Sequence, residues 1–112
     1  MVDTNYLSSV IKILETPNQT FNKNNIPVTR FKAQLPQLRR TQIVTVSFWG
    51  NLARDVAVYY KKNDYVIVEG YTSINDKQTS TILIRPLKVI EITGLRVYPF
   101  FLNPNRSMEK SY

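Results

Sequence analysis

Apolar and polar residues alternate along five short segments of the chain, and this two-residue period is typical of β-strands that are buried on one face. The segments lie at residues 6–14, 26–35, 42–49, 65–71 and 79–92, the last with a break at Pro86. Pro17 and Asn18 interrupt the chain after the first segment, and the Asn-rich residues 22–25 favour a turn before the second. The pattern therefore predicts five strands, with a polar hairpin loop at residues 72–78.

The residues between the third and fourth segments follow a helical period instead. Apolar side chains recur at Leu52, Val56 and either Tyr59 or Tyr60, a spacing that places them on one face of a helix. Lys61 and Lys62 follow at its expected C-terminal end, where the helix dipole favours cations. The order of elements is that of an OB-fold barrel. The sequence therefore predicts an all-β fold: a five-stranded OB-fold barrel with one helix between strands 3 and 4.

The length of 112 residues fits one domain, since domains typically contain about 50–250 residues. We expect the barrel domain to occupy residues 1–95, and a C-terminal tail to occupy residues 96–112. The stretch 97–102 is too apolar for a free tail. We expect it to pack on the barrel or on a neighbouring subunit, with a partner-binding role as the alternative.

Side chains of a strand point alternately to its two faces, which assigns inner and outer positions on the second and third predicted strands. The inner set is almost wholly apolar: Thr29, Phe31, Ala33, Leu35, Val44, Val46 and Phe48. The outer set is mixed: Arg30, Lys32, Gln34, Ile43, Thr45, Ser47 and Trp49. The outer faces of these two strands form the usual binding surface of an OB barrel. An indole and two cations are therefore expected on that surface.

The composition excludes several kinds of chemistry. The chain contains no cysteine and no histidine. Disulfides, thiolate metal sites and thiol nucleophiles are therefore excluded, and the commonest metal ligand and general base are missing. The 8 acidic residues are scattered, and no pair of them suggests a two-metal or two-carboxylate site. We expect no catalytic residues, no metal, no cofactor and no small-molecule substrate.

The positive charge is concentrated in one part of the sequence. The net charge is +7, and no acidic residue occurs between Glu15 and Asp55. The cations of that segment are Lys23, Arg30, Lys32, Arg39, Arg40 and Arg54. This pattern favours a face that binds a polyanion, because surfaces that only solubilise a protein usually mix both signs. Arg39 and Arg40 are expected to contact phosphates, with a solvated turn as the alternative.

These outer-face residues fit a particular class of polyanion. Proteins that bind single-stranded nucleic acids combine cations that follow the phosphates with aromatic side chains that stack on the bases. Arg30 and Lys32 supply the cations and Trp49 supplies the aromatic platform. Packing of Trp49 under the tail or at a subunit interface is the alternative to stacking.

The chain shows no sign of a membrane span or of a targeting segment. No run of about 18 apolar residues is present, and the first residues contain Asp3 but no arginine and no basic n-region. The protein is therefore expected to act where it is made, in a bacterial cytoplasm or in an organelle that encodes its own proteins. The abundance of Asn, Lys, Ile and Tyr suggests an AT-rich genome. Of the two compartments it favours a plastid, in which the protein would lie in the chloroplast stroma.

Five short motifs follow one another along the predicted elements. They are Asn-Asn-Ile-Pro-Val at 24–28 leading to Phe31, Phe-Trp-Gly-Asn-Leu-Ala at 48–53, Tyr59, Lys-Lys-Asn at 61–63 and Val-Ile-Val-Glu-Gly at 66–70. In this order and spacing they resemble the bacterial single-stranded DNA-binding protein family, over residues 6–92. That family has a turn-Val-x-x-Phe strand, an aromatic-Gly-x-x-Ala strand end and a Lys-Gly-x-x-Val-x-Val-x-Gly strand. No single motif is diagnostic, but together they make the resemblance specific.

The resemblance implies a homo-oligomeric OB-fold protein, usually a tetramer, that wraps single strands without reading their sequence. By position, Trp49 matches a stacking aromatic of the family and Lys62 matches a cation after the helix. Arg30 and Lys32 lie on the strand that the family uses for binding.

The chain also departs from the family. Ile43 stands where relatives often have a second stacking tryptophan. The connection at residues 36–41 is short where relatives often have a long binding loop, and the hairpin at 72–78 contains no aromatic residue. Residues 105–112 lack the acidic tip through which bacterial relatives recruit partners. The chain thus resembles a short version of the family, similar to ones in plastid and cyanobacterial genomes, and reduced affinity or a changed role stays open.

Three functions remain open. The first is sequence-independent binding of single-stranded DNA in replication, recombination or repair. The expected binding residues are Trp49, Arg30, Lys32, Arg39, Arg40, Lys62 and Tyr71. Of these, Tyr71 is expected to face outward and either to stack on a base or to close the hairpin. The second function is an RNA-binding OB module, and the third is a barrel repurposed as a protein-interaction subunit. A homo-oligomer, dimer or tetramer, is expected in each case.

Overall fold

A computed structural model describes residues 5–36, 41–77 and 87–104 of the chain. The strands are β1 (Asn5–Ile13), β2 (Asn18–Phe21), β3 (Pro27–Pro36), β4 (Thr41–Trp49), β5 (Tyr65–Lys77) and β6 (Leu87–Phe101), and the helix is α1 (Asn51–Tyr59). Within these residues, no helix is long and apolar enough to cross a bilayer.

Five of the six strands close into a barrel. The sheet has the order β1-β5-β6-β4-β3-β2, and β1 also pairs with β3 at Lys12 and Ile13. Strand β2 lies outside this closed ring, because it pairs only with β3 among the described strands. The helix lies between the third and fourth strands of the ring, β4 and β5. The predicted five-stranded OB-fold barrel is therefore confirmed.

The barrel interior contains the side chains that the strand period assigned to it. Phe31, Ala33, Val44, Val46 and Phe48 are all at most 1% exposed. The rings of Phe31 and Phe48 stack at 6.1 Å between centroids. The predicted inner face of the second and third barrel strands is thus confirmed, since these positions contribute to one apolar core.

Helix α1 closes one end of the barrel. Its buried residues, Ala53 and Val56, belong to the core. Buried Thr29 donates from its hydroxyl to the Ala53 carbonyl oxygen at 2.6 Å, which explains the polar residue among the inner positions of β3. The backbone N–H of Gly50 donates to the Pro27 carbonyl at 2.9 Å, so the start of the helix is tied to the start of β3.

A pair of glycines lets the barrel bend around its largest core side chain. Gly70 and Gly94 pair across β5 and β6, next to a register shift at Glu69. A Cβ atom at Gly94 would lie 2.1 Å from Cε1 of Phe48, closer than two carbons can approach. The absence of a side chain at Gly94 therefore makes room for the Phe48 ring.

The turn before β3 forms as predicted, but an additional strand precedes it. Asn22 accepts at its Oδ1 from the N–H groups of Asn24 and Ile26, each at 2.9 Å, and Asn25 has a φ of 63°. Residues 18–21 pair with β3 across this turn as β2. The sequence did not predict β2, because a four-residue polar strand has too few positions to show an alternating pattern.

The predicted loop at residues 72–78 is wrong in its described part, and the first residues of the predicted tail at 96–112 continue a strand. Residues 72–77 continue β5 and pair with residues 87–92 of β6. Residues 93–101 also belong to β6 and pair with the first half of β5. The boundary proposed at residue 95 falls inside this strand, because the pairing with β5 continues through Phe101. Residues 78–86 and 105–112 lie outside the described part.

The end of β6 is held by a buried carboxylate. Asp64 is 0% exposed, and its two oxygens accept from the backbone N–H groups of Lys61 at 2.8 Å and Asn103 at 2.7 Å. Its own carbonyl accepts from the N–H of Ile13 at 2.9 Å. Asp64 therefore joins the turn after α1, the end of β1 and the segment that follows β6.

Candidate nucleic-acid interface

The outer face of β3 and β4 presents the residues that the strand period assigned to it. Trp49 is 42% exposed and Ile43 is 50% exposed. Arg30 and Lys32 are exposed on β3, where Arg30 pairs with Ser47 and Lys32 with Thr45. The predicted outward orientation of Trp49, Arg30 and Lys32 is confirmed, whereas their role in binding stays a prediction.

A lateral row of paired residues extends this face around the barrel. Register partners on neighbouring strands point to the same side of a sheet, and successive pairs connect one outward residue on each of six strands. The members of this row, called the Arg30 row below, are Asn18, Arg30, Ser47, Thr93, Tyr71 and Tyr6. Neighbouring strands lie about 4.8 Å apart, so Arg30 and Tyr71 are separated by three such steps, about 14 Å along the surface. The row places the predicted binding residue Tyr71 on the same continuous face as Arg30.

Trp49 lies beside this row at one end of β4. It is two positions from Ser47, which places its indole about 7 Å from the row along the strand. Its register partner is Val28. One aromatic platform and one guanidinium therefore lie on adjacent strands, offset by two residues along them.

Acidic residues lie closer to Lys32 than the sequence suggested. The neighbouring lateral row, called the Lys32 row below, consists of Lys32, Thr45, Glu91 and Ser73. Glu91 enters it from β6, far away in sequence. In addition, Glu15 accepts at Oε2 from the backbone N–H of Lys32 at 2.9 Å. The acid-free segment of sequence is thus bordered by two carboxylates in space: Glu15 contacts the backbone of Lys32, and Glu91 lies two residues from Thr93 of the Arg30 row on β6.

At the far end of the Arg30 row, Tyr71 and Tyr6 form an aromatic pair. Their ring centroids are 5.6 Å apart with an interplanar angle of 75°. Tyr71 is 42% exposed and Tyr6 is 53% exposed. Sequence reasoning identified Tyr71 but missed Tyr6, because the pairing of β1 with β5 that joins them cannot be read from either strand alone.

A carboxylate and a guanidinium flank this tyrosine pair. Glu69 accepts at Oε1 from the Tyr6 hydroxyl at 3.1 Å and from Nη1 of Arg96 at 3.3 Å. Partial burial, followed by the hydrogen bond to Glu69, raises the pKa of Tyr6 above its ordinary value. The hydrogen bond to Glu69 likewise raises the pKa of Arg96. Both groups therefore keep their protons, so the cluster has no net charge and Tyr6 is held in place.

Among the described residues, the predicted cation Lys62 does not join this face. Lys62 is exposed in the turn after α1, where its carbonyl accepts from Nδ2 of Asn103 at 3.5 Å. It is not part of a strand and belongs to neither row. Arg39 and Arg40 lie outside the described residues. The structure therefore brings together Trp49, Arg30, Lys32 and Tyr71, and it leaves Lys62 apart.

The outer face of β1, β5 and β6 is more apolar than that of β3 and β4. Its exposed aromatic side chains include Tyr65, Tyr98 and Phe101, at 36%, 45% and 58%. The rings of Tyr65 and Phe101 are 6.3 Å apart, and Lys12 Nζ lies 5.8 Å from the centroid of Tyr65. This surface, called the aromatic face below, lies on the same strands as the Tyr71–Tyr6 pair but further along them.

The described residues offer no assembly of ligands typical of a metal site. Among residues 5–36, 41–77 and 87–104, no group of three or more acidic side chains converges. A shallow depression of about 180 Å³ between β1 and the ends of β3 and β4 is lined mainly by apolar atoms, with Lys12 and Tyr65 at its edge.

Comparison with known proteins finds a relative that is named as a single-stranded DNA-binding protein. The chain is 45% identical over 103 residues to "Putative single-stranded DNA-binding protein ycf41" of Trieres chinensis, covering 88% of this chain and 91% of that protein. No model of a known protein family matches the chain.

Solved structures show the same fold at lower sequence identity. The small single-stranded DNA-binding protein from Streptomyces coelicolor superposes with a TM-score of 0.75 at 17% identity, covering 88% of this chain and 96% of that one. The SSB domain of a Synechococcus sp. protein superposes with a TM-score of 0.68 at 24% identity, covering 88% and 98% of the two chains. These similarities support the barrel fold.

Proposed function

This chain belongs to the single-stranded DNA-binding protein family, and from that premise we propose that it binds single-stranded DNA without reading its sequence. Trp49 stacks on a base, while Arg30 and Lys32 contact the phosphates on either side of it. Replication, recombination and repair are the processes that expose single strands, so we place the function there. We propose binding rather than catalysis.

The observation that best supports this proposal is the position of Trp49 beside the Arg30 row. An exposed indole and a guanidinium on adjacent strands match the two requirements of a single-strand site, a π-surface and a cation. Stacking tolerates every base, because every base has a π-face. The binding expected from this arrangement is therefore independent of sequence.

Arg39, Arg40 and Lys62 extend the proposal to further phosphates. Arg39 and Arg40 follow directly on β3 in the sequence, and Lys62 is exposed after α1. We propose that these cations add affinity without determining where the bases stack. Substituting each of these cations singly with glutamine, and repeating the titration described next, measures its separate contribution to the affinity.

The single tryptophan of the chain makes the proposal directly measurable. Titration of the protein with poly(dT) should quench Trp49 fluorescence, because a stacked base changes the surroundings of the indole. The same titration with matched DNA and RNA oligomers separates a DNA binder from an RNA-binding OB module. Absence of both quenching and binding would contradict the proposal and would favour a barrel repurposed for protein interaction.

We propose that the protein also self-associates. Within the described residues, β1 pairs with β3 only at Lys12 and Ile13, which leaves most of one β1 edge open for another strand. The aromatic face is in addition an exposed apolar surface, and contact with another subunit would remove it from water. For the cellular setting, the Asn-, Lys- and Ile-rich composition favours a plastid stroma, with a bacterial cytoplasm as the alternative.

A further inference from the structure

We propose that a bound strand continues from Trp49 across β6 to a second stacking site formed by Tyr71 and Tyr6. This inference rests on the proposed function and specifies the path of the nucleic acid. The strand would run across the β-strands, along the Arg30 row, rather than parallel to them. Tyr6 and Thr93 thereby become part of the binding surface.

The shape of the Arg30 row favours this path. Between Arg30 and Tyr71 the row contains only Ser47 and Thr93. Because these side chains are short, the surface has no tall side chain across two strands, a width of about 10 Å. The guanidinium of Arg30 borders this surface on one side, and the tyrosine pair borders it on the other. The hydroxyl groups of Ser47 and Thr93 can also donate hydrogen bonds to phosphate oxygens.

The geometry of the tyrosine pair suits a base. The 75° angle between the rings directs the edge of one ring at the other, so ring surface is left uncovered by the partner. Both rings are about half exposed, and the hydrogen bond from Tyr6 to Glu69 restrains one of them. A restrained ring loses less conformational entropy on binding than a free one.

Charge distinguishes the Arg30 row from the Lys32 row beside it. None of the six residues of the Arg30 row is acidic, whereas Glu91 lies in the Lys32 row between Thr45 and Ser73. A phosphate moving along the Lys32 row would meet this carboxylate. Near Tyr71, the Arg96 side chain is 64% exposed, and its guanidinium has donors beyond the one bound to Glu69. The Arg30 row itself therefore contains no carboxylate, and Arg96 offers further donors beside its tyrosine pair.

The test compares Tyr71→Ala with Tyr59→Ala, which truncates an exposed tyrosine on α1 outside the Arg30 row and the aromatic face. Affinities are measured for oligo(dT) of about 4 and about 16 nucleotides, the limits of the footprint of one OB fold. The short oligomer can occupy the Trp49 site alone. Tyr71→Ala should weaken binding of the long oligomer by about fivefold or more and leave binding of the short one unchanged, while Tyr71→Phe restores the wild-type value.

Each outcome separates this inference from the proposed function. If the wild-type protein binds and Tyr71→Ala matches Tyr59→Ala at both lengths, the second site is wrong and the Trp49 site stands. If Tyr71→Ala changes only the oligomeric state, the pair is part of a subunit interface and the inference is likewise wrong. If the wild-type protein binds neither oligomer, the proposed function itself fails.

A second measurement on the wild-type protein does not depend on the folding of a variant. Long oligo(dT) carrying 5-iododeoxyuridine at scattered positions is photocrosslinked, and the crosslinked peptides are sequenced by mass spectrometry. Crosslinks at both Trp49 and Tyr71 are expected. Crosslinks at Trp49 without any at Tyr71 or Tyr6 would overturn the proposed path.

Discussion

Trp49 lies directly opposite Val28 across β4 and β3 on the outer surface of the barrel. By its position in the alternation along β3, Val28 should point outward, yet its side chain is only 3% exposed. Trp49, by contrast, is 42% exposed. Cβ atoms of opposed residues are about 4.5–5.5 Å apart, so the indole is near enough to shield Val28. Trp49 therefore packs on the barrel through one part of its ring and presents the rest to a ligand.

This arrangement predicts a selective effect for Trp49→Ala. Stacking on one aromatic residue is worth about 1–3 kcal/mol on truncation, so affinity for oligo(dT) should fall by about fivefold or more. The barrel should stay folded, because its core lies on the other face of β4. Binding by fluorescence anisotropy and unfolding by circular dichroism measure the two effects separately.

The matched control is Val58→Ala, which truncates an exposed apolar side chain on α1, away from the outer face of the strands. It should change neither affinity nor folding. A Trp49→Ala protein that binds as tightly as Val58→Ala would show that the indole is a surface cover and not a stacking platform.

Alternation along the strands was sufficient to predict the faces of the barrel. The period of two predicted that Val44, Val46 and Phe48 point inward and that Trp49 points outward. It could do so because a strand with one buried face has only one possible register. The helix between β4 and β5 followed from the change of period. These predictions depend on local pattern alone, which is why a single sequence contains them.

Long-range pairing could not be predicted in the same way. Tyr6 reaches Tyr71, and Glu91 reaches Thr45, only through the pairings of β1 with β5 and of β4 with β6. The length of β6 was missed for a related reason, because only the pairing with β5 shows that residues 93–101 belong to the strand. Consequently the sequence predicted the cations of the site but not the carboxylates beside them.

Glu91 should oppose binding, and its neutralisation should therefore strengthen it. A carboxylate about 10 Å from a phosphate in a water-like surrounding costs about 0.4 kcal/mol, or about twofold in affinity. Glu91→Gln should bind oligo(dT) about twofold more tightly at low salt, and the gain should shrink as salt increases. Asp55→Asn on the exposed side of α1 is the control with the same charge change. An equal gain in both variants would show that only net charge matters.

Asp64 should contribute to stability and not to binding. Its removal in Asp64→Ala leaves the N–H groups of Lys61 and Asn103 without their acceptor, which should lower the free energy of unfolding by about 2–4 kcal/mol. Asp55→Ala, an exposed acid on α1, should change it by less than about 0.5 kcal/mol. Urea denaturation measures both. A loss of affinity in folded Asp64→Ala protein would contradict this assignment.

Self-association should depend on β1 and on the aromatic face. Sedimentation velocity at micromolar concentration should show a dimer or a tetramer. Phe101→Asp should shift the distribution towards smaller species, because it introduces a charge into an exposed apolar surface. A wild-type protein that sediments as a monomer at this concentration would contradict the proposed assembly.

The central claim, that cations and Trp49 together bind a single strand, is tested most directly by one titration. Poly(dT) is added at a series of salt concentrations while Trp49 fluorescence is recorded. Each neutralised phosphate contributes about 0.7 to the slope of log affinity against log salt, so three or four contacts should give a slope of about −2 to −3. The account predicts quenching together with this slope. Binding that is independent of salt and leaves Trp49 fluorescence unchanged would contradict it.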